Sequence, residues 1–78
     1  MLTLQLDDFL DNGIIKEKSF REIVENFNWE KYRNKKVLIK GCSQEPVPTW
    51  AYLIVTHRLT INNAKIYFGE KCSAIKIN

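Results

Sequence analysis

Glycine is scarce in this chain, three in 78 residues and spread far apart, so no glycine-rich loop can cradle a phosphate and no phosphate-loop motif occurs. Histidine is scarcer. His57 stands alone, which excludes an H-E-x-x-H zinc helix; no Ser-His-Asp pattern occurs either, and any Cys-His dyad has to use that one residue. The two cysteines form no C-x-x-C, so the usual zinc and thioredoxin spacings are missing. No apolar run approaches the ~20 residues of a membrane span. Met1 to Leu10 has no basic segment ahead of an apolar one and carries Asp7 and Asp8, so it does not read as a signal peptide. These features predict a cytoplasmic protein that engages no membrane, with both cysteines as reduced thiols.

What is present is material for one core. Hydrophobic residues make up 45% of the chain and nine are aromatic, enough for a single α/β domain over residues 1–78 and too little for a second. Ordering so short a chain costs nearly as much free energy as burial returns, which points to a protein partner or a second copy as a source of stability. The net charge of +3 is unevenly laid out: residues 1–30 carry three basic and seven acidic side chains, and residues 31–78 carry nine basic and two acidic. The basic part, residues 31–78, invites phosphate, that of nucleic acid included, or an acidic protein surface as partner; the ordinary alternative is that the two parts neutralise each other within one fold or across a dimer.

Periodicity outlines the elements. Leu2, Leu4 and Leu6 alternate with polar residues as in a half-buried strand, and Asp7 to Leu10 suits a short helical turn. Ser19 and Glu22 form a capping-box pattern, with Phe20, Ile23, Val24 and Phe27 making one apolar helical stripe. Trp29 and Tyr32 suit a last turn or a second short helix. Val37-Leu38-Ile39 reads as a buried strand. After the Pro46-Val47-Pro48 loop, a helix capped by Thr49 or Val47 runs to Ile61, apolar on most sides and therefore expected to be covered on more than its sheet side. Lys65 to Phe68 is the next strand, and the tail from Ala74 alternates like an edge strand. The expected fold is a small mixed sheet with a parallel βαβ unit from Val37 to Phe68 and two or three helices.

In such a unit both strands exit on the carboxyl edge, where open α/β sheets place their sites. Cys42 and Cys72 each follow a strand, so their thiols are expected to meet there, half of a ligand set for zinc or an iron-sulfur cluster. The missing ligands make a pair of small buried hydrophobes the plainer reading. Ser43, Ser73 and the helix start at Thr49 should share that edge and offer a small anion hydroxyls and free N–H groups. His57, about eight residues along the helix and on the order of 12 Å from the edge, reads as a satisfied or surface histidine. Arg33, Lys35, Lys36, Lys40, Arg58, Lys65 and Lys71, with Trp29, Tyr32 and Tyr67, could form a basic aromatic nucleic-acid surface, though they share no short tract and a solvated basic face is the ordinary reading.

Several segments resemble the bacterial family known as domain of unknown function 2480: Leu6-Asp7-Asp8-Phe9, Lys16-Glu17-Lys18 with Phe20-Arg21, Trp29 with Tyr32, Ile39-Lys40-Gly41-Cys42-Ser43, Pro46-Val47-Pro48-Thr49-Trp50-Ala51-Tyr52, and Phe68-Gly69-Glu70 with Cys72-Ser73. The resemblance implies an uncharacterised cytoplasmic α/β protein, often encoded beside iron-sulfur cluster assembly genes, in a family whose members look like a doubled version of this unit. Together with the thiol pair it suggests a non-catalytic accessory protein of iron-sulfur biogenesis acting through protein contact or transient coordination at Cys42 and Cys72. An RNA- or ribosome-associated binder and a homodimeric structural remnant are the other expectations.

Overall fold

A computed structural model describes residues 1–10, 15–40, 47–69 and 74–78. Strand β1 (Leu2–Gln5) leads through a 3-10 turn (Leu6–Phe9) to helix α1 (Glu17–Asn26), and a second 3-10 turn (Trp29–Tyr32) leads to β2 (Lys36–Lys40). Helix α2 (Thr49–Ile61), β3 (Lys65–Phe68) and the short β4 (Ile75–Lys76) complete the order. The sheet order is β1-β2-β3-β4, with β1, β2 and β3 parallel and β4 antiparallel to β3. This is the expected small mixed α/β sheet, and the parallel unit extends back to β1.

Sequential order makes both crossovers step the same way across the sheet. Right-handed crossovers then put both helices on one face, and the core agrees: Leu4, Val37, Ile39 and Ile66 from the sheet cluster with Phe20 and Val24 of α1 and Ala51, Val55 and Leu59 of α2. The shortest dimension, 17 Å, fits one sheet and one helix layer, since packed layers lie about 10 Å apart.

The α1 stripe is core, as its spacing predicts: Phe20 and Val24 are buried and Ile23 and Phe27 pack against them. The helix start differs from the capping-box expectation. Lys16 is the N-cap in extended conformation, its carbonyl accepting the Phe20 N–H at 2.8 Å, and Ser19 lies inside the first turn. Glu17 favours the earlier start, because its carboxylate sits at the positive end of the helix and bonds Arg21 one turn on at 3.1 Å.

Phe9 organises the layer between β1 and α1. Its ring meets Phe20 at 5.3 Å, Phe27 at 5.1 Å and Trp29 at 6.3 Å between centroids. The Trp29 indole N–H donates to the Val24 carbonyl at 2.9 Å, a shorter bond than the 3.4 Å one this carbonyl of the last turn accepts from the Phe27 N–H.

Helix α2 is capped by Pro48, not by Val47 or Thr49. Proline suits the position: its fixed φ of −62° is compatible with extended backbone, it has no N–H to orphan, and its carbonyl accepts the Ala51 N–H at 3.0 Å. Cover beyond the sheet side comes, among the described residues, from α1 and the second 3-10 turn: Trp50 meets the Phe20 ring edge-on at 5.3 Å and Ile54 packs on the core. Leu53 and Ile61 stay well exposed.

The amino edge of the sheet is closed by asparagine. Asn34 and Asn63 both take left-handed backbone, φ 59° and 58°, a region that asparagine tolerates better than most residues. They lie just before β2 and β3, and the Lys65 N–H bonds the Lys35 carbonyl at 2.8 Å to start the ladder between those strands.

Candidate functional site

The sequence points to the carboxyl edge, and the topology builds that edge as expected. Strands β2 and β3 are parallel neighbours with Ile39 opposite Phe68, and the Gly69 N–H reaches the Ile39 carbonyl at 3.4 Å. The segments that lead to Cys42 and Cys72 therefore leave adjacent strands on one side. Cys42, Ser43, Cys72 and Ser73 themselves lie outside the described residues. Thr49 is described: it is the exposed first residue of α2, beyond β2. Among the described residues no group of three or more His, Cys, Asp and Glu side chains is placed to hold a metal ion, and no helix is long and apolar enough to cross a membrane.

His57 is exposed, the surface one of its two sequence readings. It borders a cleft of about 300 Å³ between α1 and α2, with Arg21, Glu25, Leu53 and Arg58 among its neighbours. Arg58 is held by an ion pair to Glu25 and Arg21 by one to Glu17. A smaller apolar hollow of about 210 Å³ lies between Tyr52 and Thr56 of α2 and Phe68 and Ile77 at the β4 side.

The basic and aromatic set from the sequence divides when placed on the fold. Trp29 and Tyr32 are buried in the core. Arg33 makes two hydrogen bonds to the Glu30 carboxylate, at 3.0 and 3.1 Å, and one to the Asn62 side chain at 3.2 Å; the guanidinium holds the Glu30 carboxyl below its usual range, and the Arg33 value is raised in turn. Lys71 lies outside the described residues. Arg58 pairs with Glu25 and Lys35 is exposed just before β2; Lys36, Lys40, Lys65 and Tyr67 lie on the strands, and the register brings them together.

Side chains alternate faces along a strand. With Val37, Ile39 and Ile66 committed to the helix side, Lys36, Leu38 and Lys40 of β2 and Lys65 and Tyr67 of β3 point to the other side. Thr3 lies opposite Leu38, Leu38 opposite Tyr67 and Tyr67 opposite Lys76, so one row crosses the sheet as Thr3, Leu38, Tyr67, Lys76. Lys36 and Lys65 form an adjacent pair, and Gln5 lies beside Lys40. This face carries four lysines and, among the described residues, no carboxylate side chain. The six described acidic residues sit on α1 and the two 3-10 turns, in the other layer. Sequence reasoning missed Lys76, which belongs to the surface only through its pairing with Tyr67; the signal was the Lys-x-Leu-x-Lys alternation in β2 repeated as Lys-x-Tyr in β3.

Leu38 is 1% exposed although it stands outside the helix-side core. Long lysine side chains can cover apolar surface with their stems while keeping the ammonium in water, and Leu38 is surrounded by such neighbours.

The chain matches the family described as Protein of unknown function (DUF2480) over residues 1–38 and 29–78, and it belongs to that family. No curated protein and no solved structure matches it.

Proposed function

We propose that the protein is a non-catalytic binding module that takes RNA on the open face of its sheet. The observation that supports this reading is the charge of that face: Lys36, Lys65 and Lys76 lie together with no acidic residue beside them among the described residues. A polyanion gains by releasing its counterions to such a surface, and the gain falls with salt. Titration of a fluorescent RNA at rising salt tests it. The expected plot of log affinity against log salt is linear with a slope of about −2 to −3, as for three or four phosphate contacts to a single strand. Absence of binding at low salt overturns the proposal.

A second reading is transient thiol coordination by Cys42 and Cys72 in iron-sulfur biogenesis. It is supported by the adjacency of Ile39 and Gly69, three positions before each cysteine. Anaerobic reconstitution with iron and sulfide, and zinc titration, of the wild type and the double Cys42→Ser, Cys72→Ser variant tests it; equal metal content in the two removes it.

A further inference from the structure

The nine aromatic rings of this protein are not used alike. Eight of them, all except Tyr67, meet another ring at centroid distances between 4.8 and 6.3 Å. Tyr67 has no ring partner among the described residues, and it is the aromatic residue that stands on the lysine face. It is only partly buried, beside Leu38 on one strand and Lys76 on the other, with Lys65 two positions earlier on the same face of its own strand.

We infer that the ligand of this face is single-stranded nucleic acid, one base of which stacks on the Tyr67 ring while Lys36, Lys65 and Lys76 take the flanking phosphates. This rests on the RNA-binding reading and adds the form of the RNA and the residue that holds it. A base presents an aromatic face to a ring only when it is free of a duplex, and stacking of that kind is indifferent to sequence because every base has such a face. Sheets that bind single strands use this combination of an open strand face, one or more aromatic rings and basic neighbours, taking about two or three bases. A duplex would use the ammonium groups and leave the ring idle. A second copy of the chain does not fit, because face-to-face contact sets lysine against lysine. An acidic polypeptide would satisfy the charge but provides no flat partner for the unpaired ring.

The test compares a single-stranded RNA of about 12 nucleotides, a length within the range of small single-strand sites, with the duplex it forms with its complement and with polyglutamate. The full chain is used, as wild type and as Tyr67→Phe, Tyr67→Leu and Lys65→Gln variants. Phenylalanine keeps the ring, and leucine keeps an apolar strand residue so that folding survives. The wild type should bind the single strand more tightly than the duplex. Tyr67→Leu should lose about ten-fold in single-strand affinity with an unchanged salt slope and unchanged duplex binding, and Tyr67→Phe should stay near wild type. Lys65→Gln should reduce the magnitude of the salt slope by about one for both RNAs. Equal binding of single strand and duplex, an indifferent Tyr67→Leu variant, or polyglutamate bound as tightly as RNA overturns the inference. The first two outcomes leave RNA binding itself standing, whereas no binding of either RNA at low salt removes both.

Discussion

The side-chain amide of Asn63 donates to Oδ1 of Asn34 across 2.7 Å, linking two residues that both hold left-handed backbone. Each ends the segment that feeds a parallel strand, and the Asn34 N–H bonds the Asn62 carbonyl at 3.2 Å alongside. The register between Lys36 and Lys65 starts from this clasp, and with it the placement of the lysine face.

Replacing Asn63 separates the two contributions. Asn63→Val should cost about 1–2 kcal/mol from the backbone in addition to the lost amide bond. Asn63→Gly keeps the backbone region and forfeits only the hydrogen bond, about 0.5–1.5 kcal/mol. Urea unfolding of both variants checks the order; equal losses would show that the backbone conformation is not what matters.

Phe9 touches three rings and is fully buried. Phe9→Ala should destabilise by about 3–5 kcal/mol, as large-to-small changes at buried aromatics do. In a domain of this size that approaches the whole stability, so thermal melting should show a variant largely unfolded at room temperature.

Trp29→Phe keeps an aromatic ring but removes the donor to the Val24 carbonyl. The carbonyl keeps only the 3.4 Å bond from the Phe27 N–H, so the loss should be about 0.5–1.5 kcal/mol, that of one hydrogen bond, and the last turn of α1 should lose hydrogen-exchange protection before the sheet does. Protection unchanged in that turn would count against the role given to the indole.

Tyr32 gives the stability curve an alkaline edge. Burial raises the phenol above its ordinary value, and the nearby Asp8 charge pushes the same way. The folded chain prefers the neutral phenol, so this stabilisation is complete below the unfolded value of about 10 and is lost as the pH rises through it toward the folded one. Tyr32→Phe should decline less as the pH rises above about 10, read as the urea midpoint against pH; parallel curves for the two proteins would exclude the residue as a source.

Much of the sheet is legible from local pattern. Val37-Leu38-Ile39 reads as a buried strand and is one, Lys65 to Phe68 matches β3, and the alternation after Ala74 marks an edge strand that the structure shortens to Ile75–Lys76. The helix starts are less legible. Ser19 looks like a cap, yet the pairing of Glu17 with Arg21 favours an earlier first turn, and a proline serves as a cap where threonine and valine look eligible.

The lysine face is hidden from the sequence for a different reason. Its members come from three separated strands, and only the register reveals that Lys76 faces Tyr67 or that Lys36 adjoins Lys65. Trp29 and Tyr32 look like part of a basic aromatic surface but pack inward against Phe27. The carboxyl-edge topology is legible because a βαβ unit fixes both exits, whereas Cys42 and Cys72, on which the metal expectation rests, lie outside the described residues.

The excess of positive charge on the sheet face has a consequence for encounter. On the helix side the six described carboxylates are offset by the lysines and arginines among them, whereas the lysines of the strands face no described carboxylate, so the described positive charge is in excess toward the Tyr67 side. A polyanion within a Debye length, about 10 Å at 0.1 M salt, exerts a torque before any atoms touch, swinging the Tyr67 side forward. Orientation is then largely settled during the approach, and collisions that begin backwards can still end in the productive pose.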